Sequence, residues 1–209
     1  DLHRVDRRQR QMCIRDRNNG MGFQIHSATL KNCLIIDNDN YYGYEGNANS
    51  STGGTIINCI ITRNRGRVAS GLRFGYIRPH VYNTIIYGNH GGKSLWGYEG
   101  SYGGITLSNC IVNIEDSNLH LFNWGSVSYT NIQYIDPLLD EGRGFRPILL
   151  SPVLKAGNYI SGITNDIEGN LRGTNKIDLG CYEYVPGIFD CAFYALNPYT
   201  FPNAIVTFI

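Results

Sequence analysis

The sequence predicts an all-β protein wound as a parallel β-solenoid. Three observations lead there. A ten-residue unit recurs four times without gaps, successive units lie 25 or 26 residues apart, and the composition favours strands and tight turns over helices. The chain has 209 residues, the size of one ordinary domain. It carries 25 Gly, 22 Asn, 24 Ile and 15 Tyr, so turn formers and strand formers are both enriched. Lys and Arg number 18 against 17 Asp and Glu, a net charge of +1 that points to no polyanionic partner. Charged residues are only 17%, which argues against disorder, a coiled coil and a basic nucleic-acid binder. No apolar run approaches the ~18 residues of a membrane span.

The units are TLKNCLIIDN (29–38), TIINCIITRN (55–64), HVYNTIIYGN (80–89) and TLSNCIVNIE (106–115), with a weaker fifth, SYTNIQYIDP (128–137). Their central Asn recurs at Asn32, Asn58, Asn83, Asn109 and Asn131. A period this short, so rich in Gly and β-branched residues, fits one turn of a parallel solenoid and no helix-pair repeat.

Strand alternation assigns each unit's directions. Leu30, Ile56, Val81 and Leu107 point inward on one strand. Cys33, Cys59, Thr84 and Cys110, then Ile35, Ile61, Ile86 and Val112, point inward on the next. Between them Asn32, Asn58, Asn83 and Asn109 stand at a corner, where an amide can bond the bent backbone and the Asn of the next coil ~4.8 Å away. Asn also tolerates the left-handed conformation that corners need. A second polar corner follows at Asn38, Asn64 and Asn89. A third strand precedes each unit, at Phe23–Ile25, Tyr44–Glu45, Leu72–Phe74, Leu95–Trp96 and Leu119–Leu121. This predicts about five coils of three short strands across residues 18–137.

The ends differ. Residues 1–17 hold six Arg and three Asp with little apolar periodicity. The string VDRRQRQMCIRDR resembles translated sequencing-adapter read-through, so these residues are expected to be non-native and to lack strand pairing. A basic nucleic-acid-binding arm is the alternative. No apolar stretch of a secretory signal stands there. Residues 138–184 break the repeat and read as an irregular C-terminal cap over the solenoid's open end. Within them Asp166, Arg172, Asp178 and Glu183 are expected to form a partly buried ion-pair network that fixes the cap. Residues 185–209, with three Pro, read as a linker or the start of a lost domain.

Residues 22–137 resemble the right-handed parallel β-helix repeat family, on the shared Asn-(Cys/Thr)-x-(Ile/Val) core. SPVLKAGN (151–158), DIEGNLRG (166–173) and IDLGCYEY (177–184), preceded by IDPLL (135–139), are similar to the closing signature of choice-of-anchor Q domain proteins. Leu154 and Lys155 stand where Ile-Asp is usual, and Cys181 where Ala is usual. The resemblance implies a bacterial protein that is extracellular or held at the cell surface.

Candidate chemistry is sparse. Cys33, Cys59 and Cys110 read as small buried residues of one stack, without the spacing of a zinc site. The five His show no metal spacing. No successive Asp pairs build the calcium site expected of β-helix polysaccharide lyases. Asp37 and Asp39 share a corner, but the matching coils offer Thr62–Asn64 and Tyr87–Asn89. No cofactor or metal is therefore expected. GYEG occurs at 43–46 and 97–100, two coils apart, so Glu45 and Glu99 could flank Arg73 of the middle coil ~10 Å apart along the axis. That set could cleave a glycoside or bind an acidic sugar. Aromatics, among them Tyr41, Tyr44, Phe74, Trp96 and Tyr98, cluster around the third strand, where a flat strip would suit an extended polymer. Tyr44, Trp96 and Tyr98 are the candidate ligand contacts.

Three functions follow. The first is a non-catalytic surface scaffold contacting a polysaccharide or another surface polymer. The second is a lyase or glycosidase of β-helix type acting through Glu45, Arg73 and Glu99. The third is a structural stalk. Nucleic acid is not an expected partner, and a monomer is expected.

Overall fold

The computed structural model describes residues 18–41, 46–75, 77–97, 104–113 and 127–186, and the backbone of 10–16. Its strands are β1 (Arg10–Asp16), β2 (Phe23–Ile25), β3 (Thr29–Ile36), β4 (Asp39–Asn40), β5 (Asn49–Ser51), β6 (Thr55–Ile57), β7 (Ile60–Thr62), β8 (Arg65–Phe74), β9 (His80–Tyr82), β10 (Ile85–Tyr87), β11 (His90–Gly97), β12 (Ile105–Val112), β13 (Val127–Gln133), β14 (Leu139–Asp140), β15 (Arg146–Pro147), β16 (Gly157–Asn158) and β17 (Lys176–Ile177). Every pairing from β1 to β13 is parallel, as coils wound successively in one direction require. The step from β3 through β6 and β9 to β12 makes three full turns of a parallel β-helix.

The register stacks like on like. Leu30, Ile56, Val81 and Leu107 form one inward row. Ile35, Ile61, Ile86 and Val112 form a second. With Cys33, Cys59, Cys110, Leu72, Phe74 and Leu95 they make the inner core. Each fully buried Ile or Leu contributes ~1.5–3 kcal/mol relative to exposure.

Both corners are built by backbone that L-residues rarely adopt. Asn32, Asn58, Asn83, Asn109 and Asn131 all have φ between 48° and 53°. One residue on, at the inner turn of each bend, stands a short donor. The Cys33, Cys59 and Cys110 thiols and the Thr84 hydroxyl each donate to the carbonyl two residues back, at 3.3, 3.1, 3.3 and 2.8 Å. Cys and Thr thus alternate at this position because both are compact and carry a proton.

Three expectations change. First, β1 pairs with β3 over six register pairs, Cys13 beside Cys33, so Arg10–Asp16 does not lack strand pairing. Second, the third strand of the second coil is β5, which pairs with β2 and β8; Tyr44 and Glu45 lie outside the described residues. There Asn49 and Ser51 take the positions of Phe23 and Ile25, so apolar alternation gives no signal. Third, the contacts of residues 138–184 run along the side of the helix. Leu34, Ile60, Ile85 and Ile111 form an outward apolar row, and Phe145, Val153, Leu179, Cys181 and Tyr182 pack on it. A sheet covered on both faces reads as a continuous apolar run, as CLII and CIIT do. Gly180 (φ 86°) lets the backbone lie against this row, since a Cβ there would meet Ile60 Cγ1 at 2.7 Å.

Candidate functional site

Two corners of each coil hold the flanks in place, and they do so differently. At the first, Asn83 donates to Asn58 Oδ1 at 3.0 Å, and Asn131 to Asn109 Oδ1 at 2.9 Å. Asn32 and Asn83 also turn to the C-terminal segment. Asn32 Nδ2 donates to the Asn165 carbonyl (2.7 Å) and Asn83 Nδ2 to that of Asn158 (2.8 Å). The first corner therefore works as an anchor line for the flanking segment. The second corner carries a continuous amide ladder. Asn18 donates to Asn38, Asn38 to Asn64 and Asn64 to Asn89, at 2.7, 2.9 and 3.0 Å.

The charged group foreseen in the C-terminal segment assembles around Arg172. This guanidinium is fully buried and reaches Glu183 (3.2 Å), the carbonyls of Asp178 and Gly180, and Asn32 Oδ1 (3.2 Å). Burial lowers its pKa, opposed by the charge of Glu183. Asp166 accepts from the amides of Glu168, Asn170 and Glu183. Asp178 accepts from those of Lys155 and Tyr184. Lys155 closes the group at 2.5 Å from Glu183. Every carboxylate here is occupied by backbone or a cation, an arrangement that fixes the segment and leaves no free general base.

The sequence places its candidate polymer contacts on the outward face of the third sheet. Gln24, Ser50, Arg73 and Trp96 lie in one row along the axis, since Gln24 pairs with Ser50, Ser50 with Arg73, and Arg73 with Trp96. The structure therefore brings Arg73 and Trp96 together. Arg73 is buried (7% exposed) and Trp96 half-buried. Glu45, Glu99, Tyr44 and Tyr98 lie outside the described residues. Phe74 leaves the proposed aromatic strip, because it points inward and is 2% exposed. Tyr41 lies 4.4 Å beneath the Arg65 guanidinium.

The acidic pair at the second corner meets a basic pair, not the polar residues expected. Asp37 faces Arg63 (2.8 Å) and Asp39 faces Arg65 (3.4 Å) on the next coil. Opposite charge at stacked positions relieves the repulsion that a run of like carboxylates would create. Among the described residues no group of three His, Cys, Asp or Glu side chains is placed to hold a metal ion.

Sequence reasoning missed a cleft of about 290 Å³ between the second corner and the returning chain. Arg63, Tyr87 and His90 line it from the coils, and Asp136, Glu141 and Phe145 from the C-terminal segment. Arg63, at φ 55°, bridges Asp37 and Glu141 (2.9 Å) and stands 5.6 Å from the centre of the Phe145 ring. The one signal available was a charged residue, Arg63, where the next coil has Gly88, also at positive φ.

No protein-family model, no curated protein and no solved structure matches the chain.

Proposed function

We propose that the chain is a non-catalytic β-helix scaffold that contacts an extended polymer, a polysaccharide or surface glycan, outside the cell or at its surface. The observation that carries this reading is the row Gln24–Ser50–Arg73–Trp96, in which Ser50 and Arg73 are buried and Gln24 and Trp96 reach the surface. It is straight, parallel to the helix axis and spaced by one strand per step, about 4.8 Å. Its half-buried indole has the kind of face that stacks on a sugar ring, and Arg73, buried, is its register partner on β8. A rigid solenoid holds such groups in line without ordering cost on binding. The similarity of residues 151–184 to the choice-of-anchor Q signature supports the surface location, and it is the sole support for that part.

Burial of Arg73 favours a second reading, a polysaccharide lyase or glycosidase acting through Glu45, Arg73 and Glu99. A guanidinium taken out of water stabilises a developing anion more strongly than an exposed one. The two readings separate in one experiment. A panel of neutral and acidic polysaccharides is tested for binding to the immobilised chain and, in parallel, for release of reducing ends and unsaturated products. Binding without release supports the scaffold. Release that Glu99→Gln abolishes supports the enzyme. Neither leaves the structural stalk.

A further inference from the structure

We propose that the cleft between the second corner and the returning chain binds an amino sugar, a protonated amine carried on a ring-sized and partly apolar body. Its volume, about 290 Å³, suits one pyranose ring rather than a chain. Its floor is apolar, with Phe145 and Ile148 both buried, and Tyr87 forms a wall. Such a floor takes the C–H face of a ring.

The electrostatics select the amine. Arg63 is the one Lys or Arg among the described lining residues, and its charge is already met by Asp37 and Glu141. Asp136 adds a third carboxylate, and its Oδ1 accepts from the Leu138 amide at 2.8 Å. The Asp136 and Glu141 residues are both exposed at the rim. Asp37 stands behind Arg63 outside the lining, so the cleft itself sets two carboxylates, Asp136 and Glu141, against one guanidinium, a balance that draws in a cation and repels an anionic sugar. Arg63, held by two carboxylates and Phe145, forms a fixed wall rather than a competing ligand.

This site is separate from the Trp96 row. Trp96 is not among its lining residues, so either proposal can fail alone. The test uses the full chain near neutral pH, with glucosamine, N-acetylglucosamine, glucose and a chitosan tetramer as probes, titrated by calorimetry. Glucosamine should bind roughly ten-fold more tightly than its acetylated or neutral counterparts. Asp136→Asn keeps the acceptor for the Leu138 amide and should weaken glucosamine about five-fold or more, as should Glu141→Gln. A tetramer that binds more tightly than glucosamine assigns the site to an aminated glycan; equal binding assigns it to the free amino sugar. Equal affinity for all three monosaccharides, no binding, or retained affinity in both carboxamide variants at an unchanged thermal midpoint would overturn the proposal.

Discussion

Asn64 is joined to Asn89 twice: its backbone N–H and its Nδ2 both donate to Asn89 Oδ1, each at 3.0 Å. The same Nδ2 also reaches the carbonyls of Ile35 and Thr62, both at 3.0 Å. One buried amide therefore links three coils and satisfies backbone groups that the bend removes from the strand ladder.

Replacing Asn64 with Ala should cost about 3 kcal/mol, because several buried groups lose their partners at once. For a chain of this size the thermal midpoint should fall by roughly 6–12 °C. Asn131→Ala, at the exposed last rung of the other corner, should cost well under ~1 kcal/mol. Equal losses for the two variants would mean that the buried ladder of the second corner does not set coil stability.

Arg172→Met should destabilise by about 3–5 kcal/mol in urea unfolding, since it leaves Glu183 and Asn32 Oδ1 buried beside an apolar side chain. Arg65→Met, whose partner Asp39 is exposed, should change stability by less than ~1 kcal/mol. Comparable urea midpoints for both variants would contradict the assignment of Arg172 as the tie between flank and first corner.

Stability should fall on the alkaline side. Burial pushes the Cys110 thiol from 9.0 up to about 12. Burial, helped by the neighbouring Cys181, pushes the Tyr182 hydroxyl from 10.0 up to about 12. Both are acids whose pKa in the folded chain lies above the unfolded value, so the folded chain keeps protons that the unfolded chain releases. Their contribution is complete below about pH 9 and is lost as the pH climbs toward 12. Cys110→Ala should flatten the decline of the unfolding free energy across that window. An unchanged slope would show that the thiol stays protonated in both states.

The repeat made the inner core and both corners legible, because Asn64, Ile61 and Cys59 each recur one period away as the same or a similar residue. The outward row was written in the same units, at Leu34, Ile60, Ile85 and Ile111, yet an alternation rule that assigns one face to the core passes over it. Asn49 and Ser51 hid the third strand of the second coil by placing polar groups inside. Arg63 and Glu141 are 78 residues apart and belong to no shared pattern, so their ion pair and the cleft around it arise only from how the chain returns. That Arg73 and Trp96 are register partners was not legible, because β8 and β11 pair with bulges that shift the count.

Affinity for a bound polymer, measured on Trp96→Ala beside the unaltered chain, tests the scaffold reading most directly. A polysaccharide that binds the chain should be identified first by retardation in affinity electrophoresis. One well-placed ring contributes roughly 0.5–1.5 kcal/mol beyond its buried area, so Trp96→Ala should weaken binding at least several-fold, and Glu99→Gln should weaken it less. Undiminished retardation of Trp96→Ala, with its thermal midpoint intact, would contradict polymer contact along the third sheet.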